Sequence, residues 1–113
     1  MRGLLLTIGT SHESAIFSIR EIGPTYVAFL CTDTIAADEA INVIINATSL
    51  PPGFTERFRF ADSPPAIDEV IERSYEAYRW LRGRIGDDGE IIANFTAGRK
   101  WMSAGLLFVL SRL

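Results

Sequence analysis

Cysteine and histidine are nearly missing from this chain, which has one of each, Cys31 and His12, among 113 residues. A single cysteine excludes an internal disulfide and any cysteine-based zinc site, and it fits a reducing compartment. A single histidine leaves His-rich metal centres and a Ser-His-Asp triad without their usual parts, so no metal site is expected. Long apolar runs are absent too. Gly3–Ile8 and Ala104–Leu110 fall far short of the ~20 residues of a membrane span, and the first is too short for a signal peptide. These absences read as a soluble, cytoplasmic protein with no membrane partner. Nor does one sign of charge dominate: 11 Lys+Arg stand against 14 Asp+Glu, a net charge of −3. That balance argues against binding long nucleic acid through bulk electrostatics.

Familiar nucleotide fingerprints are missing as well. No GxGxxG follows the first apolar run, so the dinucleotide motif fails, and no GxxxxGK[ST] occurs, so ordinary NTP hydrolysis is not expected. Thr7 to Ser11 holds none of the acidic residues that a phosphoacceptor receiver domain needs there.

What is present is ample for one packed domain, because 48% of the residues are hydrophobic and domains cluster near ~100–150 residues. Gly3–Ile8, bounded by Gly9-Thr10-Ser11, reads as a buried parallel strand. Glu13–Ile22 has helical spacing and stops at Gly23-Pro24. Tyr26–Cys31 is a second strand, and Thr34 or Asp33 caps a helix that runs to the break at Leu50-Pro51-Pro52-Gly53. Phe54–Phe60 alternates apolar and polar residues, as a half-exposed strand near an edge would. Ser63 is expected to cap the next helix with Pro64 at its first position. Its apolar face is read as Ile67, Val70, Ile71, Tyr75, Tyr78, Leu81 and Ile85. Glu90–Phe95 is a fourth strand, and Arg99–Leu113 a last helix, apolar on nearly every face.

This alternation predicts an α/β fold: a Rossmann-like, doubly wound, mainly parallel sheet with helices on both faces. The whole chain, 1–113, forms one domain. Such a sheet normally continues past a fourth helix, which points to an N-terminal fragment of a longer protein or a truncated unit.

Ligands of open parallel sheets bind at the carboxyl ends of the strands, near the point where strand order reverses. That rule selects four loops: Gly9–Ser14, Thr32–Thr34, Ala61–Ser63 and Thr96–Lys100. Gly9 lets backbone approach a ligand, and Thr10, Ser11 and Ser14 supply donors. Arg99 and Lys100 add charge at a helix N-terminus, a ready anion site. Two such loops on adjacent central strands would make a phosphate or nucleotide cradle. His12 reads first as an exposed loop residue, Cys31 as buried and inert, and Trp101 and Met102 as core.

Gly9-Thr10-Ser11, then Ile16-Phe17-Ser18-Ile19 and the Gly-Pro break before Tyr26–Cys31, resembles the opening of CARF domains, the CRISPR-associated Rossmann-fold sensors. Their second signature, Asn-x-Thr-Gly-Gly-Thr-Lys-x-Met, is similar to Asn94-Phe95-Thr96-Ala97-Gly98-Arg99-Lys100-Trp101-Met102. Ala97 and Arg99 depart from it. The resemblance spans the chain in order.

It implies a homodimer that binds cyclic oligoadenylate, the second messenger of type III CRISPR interference, and that regulates an effector domain fused to it or acting in trans. Gly9, Thr10, Ser11, Thr96, Ala97, Gly98, Arg99 and Lys100 would then contact phosphate and ribose, with Thr32 and Asp33 at adenine or the rim. No cofactor is implied beyond the ligand. Some such domains also cleave the ring without metal, a role that would fall to Ser11, Lys100 and His12. The alternative is a flavodoxin-like module that takes a mononucleotide or another small anion.

Overall fold

The computed structural model describes residues 1–113 and alternates strand and helix throughout. In order these are β1 (Arg2–Thr7), α1 (Glu13–Ile22), β2 (Tyr26–Thr32), α2 (Ile35–Thr48), β3 (Thr55–Phe60), α3 (Ile67–Ile85), β4 (Glu90–Asn94) and α4 (Lys100–Leu110). All pairings are parallel, in the order β3-β2-β1-β4. The chain steps outward from β1 through β2 to β3, then α3 carries it back across the sheet to the far side of β1. Strand order therefore reverses between β1 and β4. That places the ligand crevice of such folds at their carboxyl ends.

Strands β1 and β2 are apolar on both faces because both faces are covered. Leu4, Leu6, Val27, Phe29 and Cys31 pack with Ile19, Ala37, Ile41 and Ile44 of α1 and α2. Their alternates, Leu5, Ala28 and Leu30, meet Val70, Ala77, Leu81, Met102 and Leu106 of α3 and α4. The α/β, doubly wound architecture expected from the sequence is the one found.

Strand β3 is an edge, as its alternation foretold. Phe58 and Phe60 turn inward to α3 and α4, while Arg57 and Arg59 reach α2. Arg57 Nη1 lies 2.7 Å from Asp38 Oδ1 and its Nη2 donates to Asn42 Oδ1 at 2.7 Å. Arg59 Nη2 donates to the same Asp38 oxygen at 3.1 Å. Beneath them Cys31 is fully buried, and loss of solvent pushes its thiol up to about 11, an inert sulfur at neutral pH.

Three expectations need correction. The third helix does not begin at Ser63-Pro64. A second proline follows, and the residue before a proline is pushed out of the helical region, so Pro64 cannot open the helix. Ala66, extended at φ −61 and ψ 145, is the actual cap and has no side chain to offer. Its buried stripe is Val70, Ser74, Ala77, Leu81 and Ile85. Ile67 stays exposed and the tyrosines half-buried. The last helix ends at Leu110, not Leu113, and buries one side only: Met102, Gly105, Leu106 and Val109. Val70 occupies the place where a Gly105 side chain would project, so α3 and α4 approach closely there. Finally, β4 is not central; it is the second edge, paired only with β1.

Candidate functional site

The crevice is built where β1 leaves the sheet. Ile8 N–H still donates to Leu30 O at 2.8 Å, which holds the strand end against β2 before the chain turns at Gly9. Thr7, buried at the end of an otherwise aliphatic strand, donates its Oγ1 hydrogen to Ala97 O at 2.6 Å. That bond stitches the end of β1 to the loop after β4. The two loops then touch through glycines. A Cβ on Gly9 would stand 3.1 Å from the Gly98 nitrogen, and one on Gly98 would stand 2.8 Å from Met102 Cε and 3.1 Å from Ile8 O. Gly98 also holds φ at +83, a conformation that side chains resist. Ala97 lies outside that left-handed region, so its departure from the Gly-Gly of the resembled motif leaves the turn intact.

Asn94 shapes the same loop. Its Oδ1 accepts from the Thr96 N–H at 3.2 Å and the Thr96 hydroxyl at 2.9 Å, while its Nδ2 donates to Ser18 Oγ of α1 at 2.6 Å. The Asn-x-Thr pair is thus a local turn pinned to α1.

Above this floor lies a cleft of about 450 Å³. Its wall carries Gly9, Thr10, Thr32, Thr34 and Gly98, the start of α2 at Ala36-Ala37, and the pair Asp62 and Arg99. Thr34 caps α2 by accepting the Ala37 N–H at 3.2 Å, and its Oγ1 lies 3.1 Å from that of Thr32. Hydroxyls, turn amides and a helix start suit phosphate oxygens and sugar hydroxyls. Arg99 Nη2 donates to Asp62 Oδ1 at 2.7 Å. The same two residues also line a second cleft of about 270 Å³, with Ser63, Pro64, Lys100 and Trp101. Trp101 meets Phe60 edge-on at 5.1 Å, so it is half core and half wall.

The residues singled out in the sequence thus divide. Gly9, Thr10, Thr32, Gly98 and Arg99 share the larger cleft, and Lys100 lies on the smaller. Thr96 and Ala97 build the loop through the bonds described above. Asp33 turns to the β3 edge, 4.0 Å from Arg59. Ser11 is exposed and donates to Glu13 Oε2 at 3.4 Å. His12 stands at the start of α1 without a side-chain cap bond. It is half-buried rather than an exposed loop residue, with an enclosed and unpartnered Nδ1. Neither Ser11 nor His12 lines either of these clefts, and Lys100 lines the smaller. Among the lining residues that the sequence does not name as contacts are Thr34 and Asp62. Both belong to loops that the sequence places at the carboxyl edge, but neither carries a glycine or a positive charge that would single it out as a contact. No three His, Cys, Asp or Glu side chains gather as a metal group would require, and no helix is long and apolar enough to cross a membrane.

No protein-family model matches the chain, and no curated protein shows significant similarity to it. Among solved structures, Can2 from Sulfobacillus thermosulfidooxidans, in complex with cyclic tetra-adenylate (cA4), has a similar fold. The TM-score is 0.72 at 17% identity, over 99% of this chain and 30% of that one. At that identity the likeness establishes the fold, and this chain spans less than a third of its neighbour's length. The fold implied by the CARF resemblance is the fold the chain has.

Proposed function

We propose that this chain is the sensor domain of a CRISPR-associated protein and binds a cyclic oligoadenylate at the carboxyl edge of its sheet. One observation carries the reading: the Gly9 and Gly98 loops abut over adjacent parallel strands, in a fold shared with a protein solved in complex with cyclic tetra-adenylate. Backbone at Gly9, Thr10 and Gly98, with Arg99 and Lys100, takes ring phosphates. Thr32 and Thr34 take ribose or adenine, and Asp33, turned to Arg59, makes no contact in this reading.

A ring with two-fold symmetry suits two copies presenting the same loops. In a single chain Leu107 is 53% and Phe108 42% exposed on α4, which gives a second copy an apolar face to cover. Ligand binding then reaches an effector fused to this domain or acting in trans.

Calorimetry against cyclic tetra- and hexa-adenylate, linear tetra-adenylate and AMP tests the reading. Cyclic ligand should bind tightest. Affinity for AMP but not for either ring would sink it in favour of a flavodoxin-like mononucleotide module. Lys100→Ala should weaken cyclic ligand at least tenfold, since a charge-assisted hydrogen bond contributes roughly 1.5–3 kcal/mol and ~1.4 kcal/mol is a decade. Arg73→Ala should leave affinity unchanged, because Arg73 pairs with Glu76 on the outer face of α3. Cleavage is a separate matter. If a ribose 2′-OH attacks the adjacent phosphorus and expels the 5′-oxygen of the next nucleotide, with Ser11 donating to the phosphorane and Lys100 and His12 assisting, linear product forms in EDTA and Ser11→Ala slows it ~10²–10³-fold. Intact ring after long incubation leaves the sensor role alone.

A further inference from the structure

We infer that the Arg99–Asp62 ion pair is a removable bar between the two clefts, and that Asp62 sets the affinity of the site for anions by competing for the Arg99 guanidinium. The inference deepens the proposed binding role and rests on it only for the identity of the natural ligand.

The geometry is specific. Arg99 and Asp62 are the two residues common to both clefts, so their 2.7 Å contact stands on the boundary. On one side are the glycine loops and threonine hydroxyls, and on the other Lys100 and Trp101. A phosphodiester long enough to use both Thr10 and Lys100 must cross this contact. There a phosphate oxygen, of the same charge sign as the carboxylate, competes with Asp62 for the Arg99 guanidinium.

The exchange is cheap on the protein side. The two side chains are 58% and 45% exposed, and exposed pairs contribute little to stability. A guanidinium offers a phosphate two parallel donors, whereas Asp62 engages one nitrogen within hydrogen-bond distance. After the exchange Asp62 stays beside the bound anion as an unpaired like charge. It therefore works against binding twice, first as competitor and then as neighbour. The resembled motif has a hydroxyl where this chain has Arg99, so the bar belongs to this sequence. Asp62 comes from the β3–α3 loop, far away in the chain.

The test uses two probes, inorganic pyrophosphate and cyclic tetra-adenylate, titrated by calorimetry into wild type, Asp62→Asn, Asp62→Glu, Arg99→Ala and the Asp62→Asn/Arg99→Ala double variant. Asp62→Asn should bind pyrophosphate about three- to tenfold more tightly than wild type. Asp62→Glu, which still reaches the guanidinium, should stay within about twofold. In the Arg99→Ala background the Asn substitution should gain clearly less, keeping only the part that comes from removing a like charge beside the anion, because nothing is left to compete for. Thermal melts within a degree or two of wild type guard against misfolding at this exposed loop. If pyrophosphate follows this pattern and cyclic tetra-adenylate binds no variant, the bar stands and the cyclic-ligand reading falls. Unchanged or weaker pyrophosphate binding by Asp62→Asn overturns the bar, as does an equal gain with and without Arg99. Failure of every variant to bind pyrophosphate overturns it as well.

Discussion

Gly98 combines a left-handed backbone with Met102 and Ile8 crowding the place a Cβ would take. Gly98→Ala should destabilise the fold by about 2 kcal/mol or more, from the positive φ and from the shift forced on Met102 and Ile8. Ala97→Gly, one residue earlier, should cost less than about 1 kcal/mol, through unfolded-state entropy alone. Urea denaturation of the pair separates the two positions, and equal losses would contradict this account of the turn. Asp38 gives a test in pH. The Arg57 hydrogen bond, with help from Arg59, holds its carboxyl below the usual carboxylate range. A group that takes up protons less readily folded than unfolded adds stability above its unfolded pKa and loses it as pH falls toward the folded value. The stability difference between wild type and Asp38→Asn should therefore be widest above about pH 5 and shrink steadily as pH falls below the ordinary carboxylate range. A difference that grows in acid would assign the pair the wrong sign.

At the scale of elements, α3 shows how one neighbour overrides a strong local signal. Ser63-Pro64 is a good helix opening by itself, but Pro65 bars Pro64 from helical geometry and moves the start to Ile67. The helix is left with alanine at its cap. Ala66→Ser should stabilise the protein by about 0.5–1 kcal/mol, while Ser63→Ala should change stability by less than about 0.5 kcal/mol. Denaturation midpoints in the reverse order would restore Ser63 as the cap. The buried stripe of α3 shifts for a related reason. Its middle faces α4 at close range, so Ser74 and Ala77 lie against the core, and the tyrosines flank them half-buried. Size decided the facing residues where hydrophobicity alone pointed to Tyr75 and Tyr78.

For the whole molecule, the reversal of strand order makes the crevice and α4 supplies its outer apolar face. Light scattering at micromolar concentration should show a dimer, with or without ligand, and Leu107→Glu should shift it to monomer while the melt stays cooperative. A monomer under both conditions would remove α4 as the contact between copies. Leu107 is the better probe than Met102, because its side chain projects outward and Met102 is fully enclosed.

The sequence by itself determined the order of eight elements, the parallel sheet and the four loops at its carboxyl edge. Each of these depends on short-range patterns: apolar runs of strand length, helical spacing, and glycine or proline breaks. Gly9 was legible for the same reason, since a glycine just past a strand announces close backbone approach, and Gly98 through its place in the resembled Asn-x-Thr motif. Only the tertiary structure decided which side chains meet. Arg99 and Asp62 are far apart in the chain and follow strands at opposite edges, and they come together because the loops after β3 and β4 fold over one crevice. Thr7 reaches Ala97, and Asp33 turns from the crevice to Arg59, through the same long-range geometry. No local pattern encodes such pairings, because they depend on strand order and crossover direction, which are set when the helices bury both faces of the sheet.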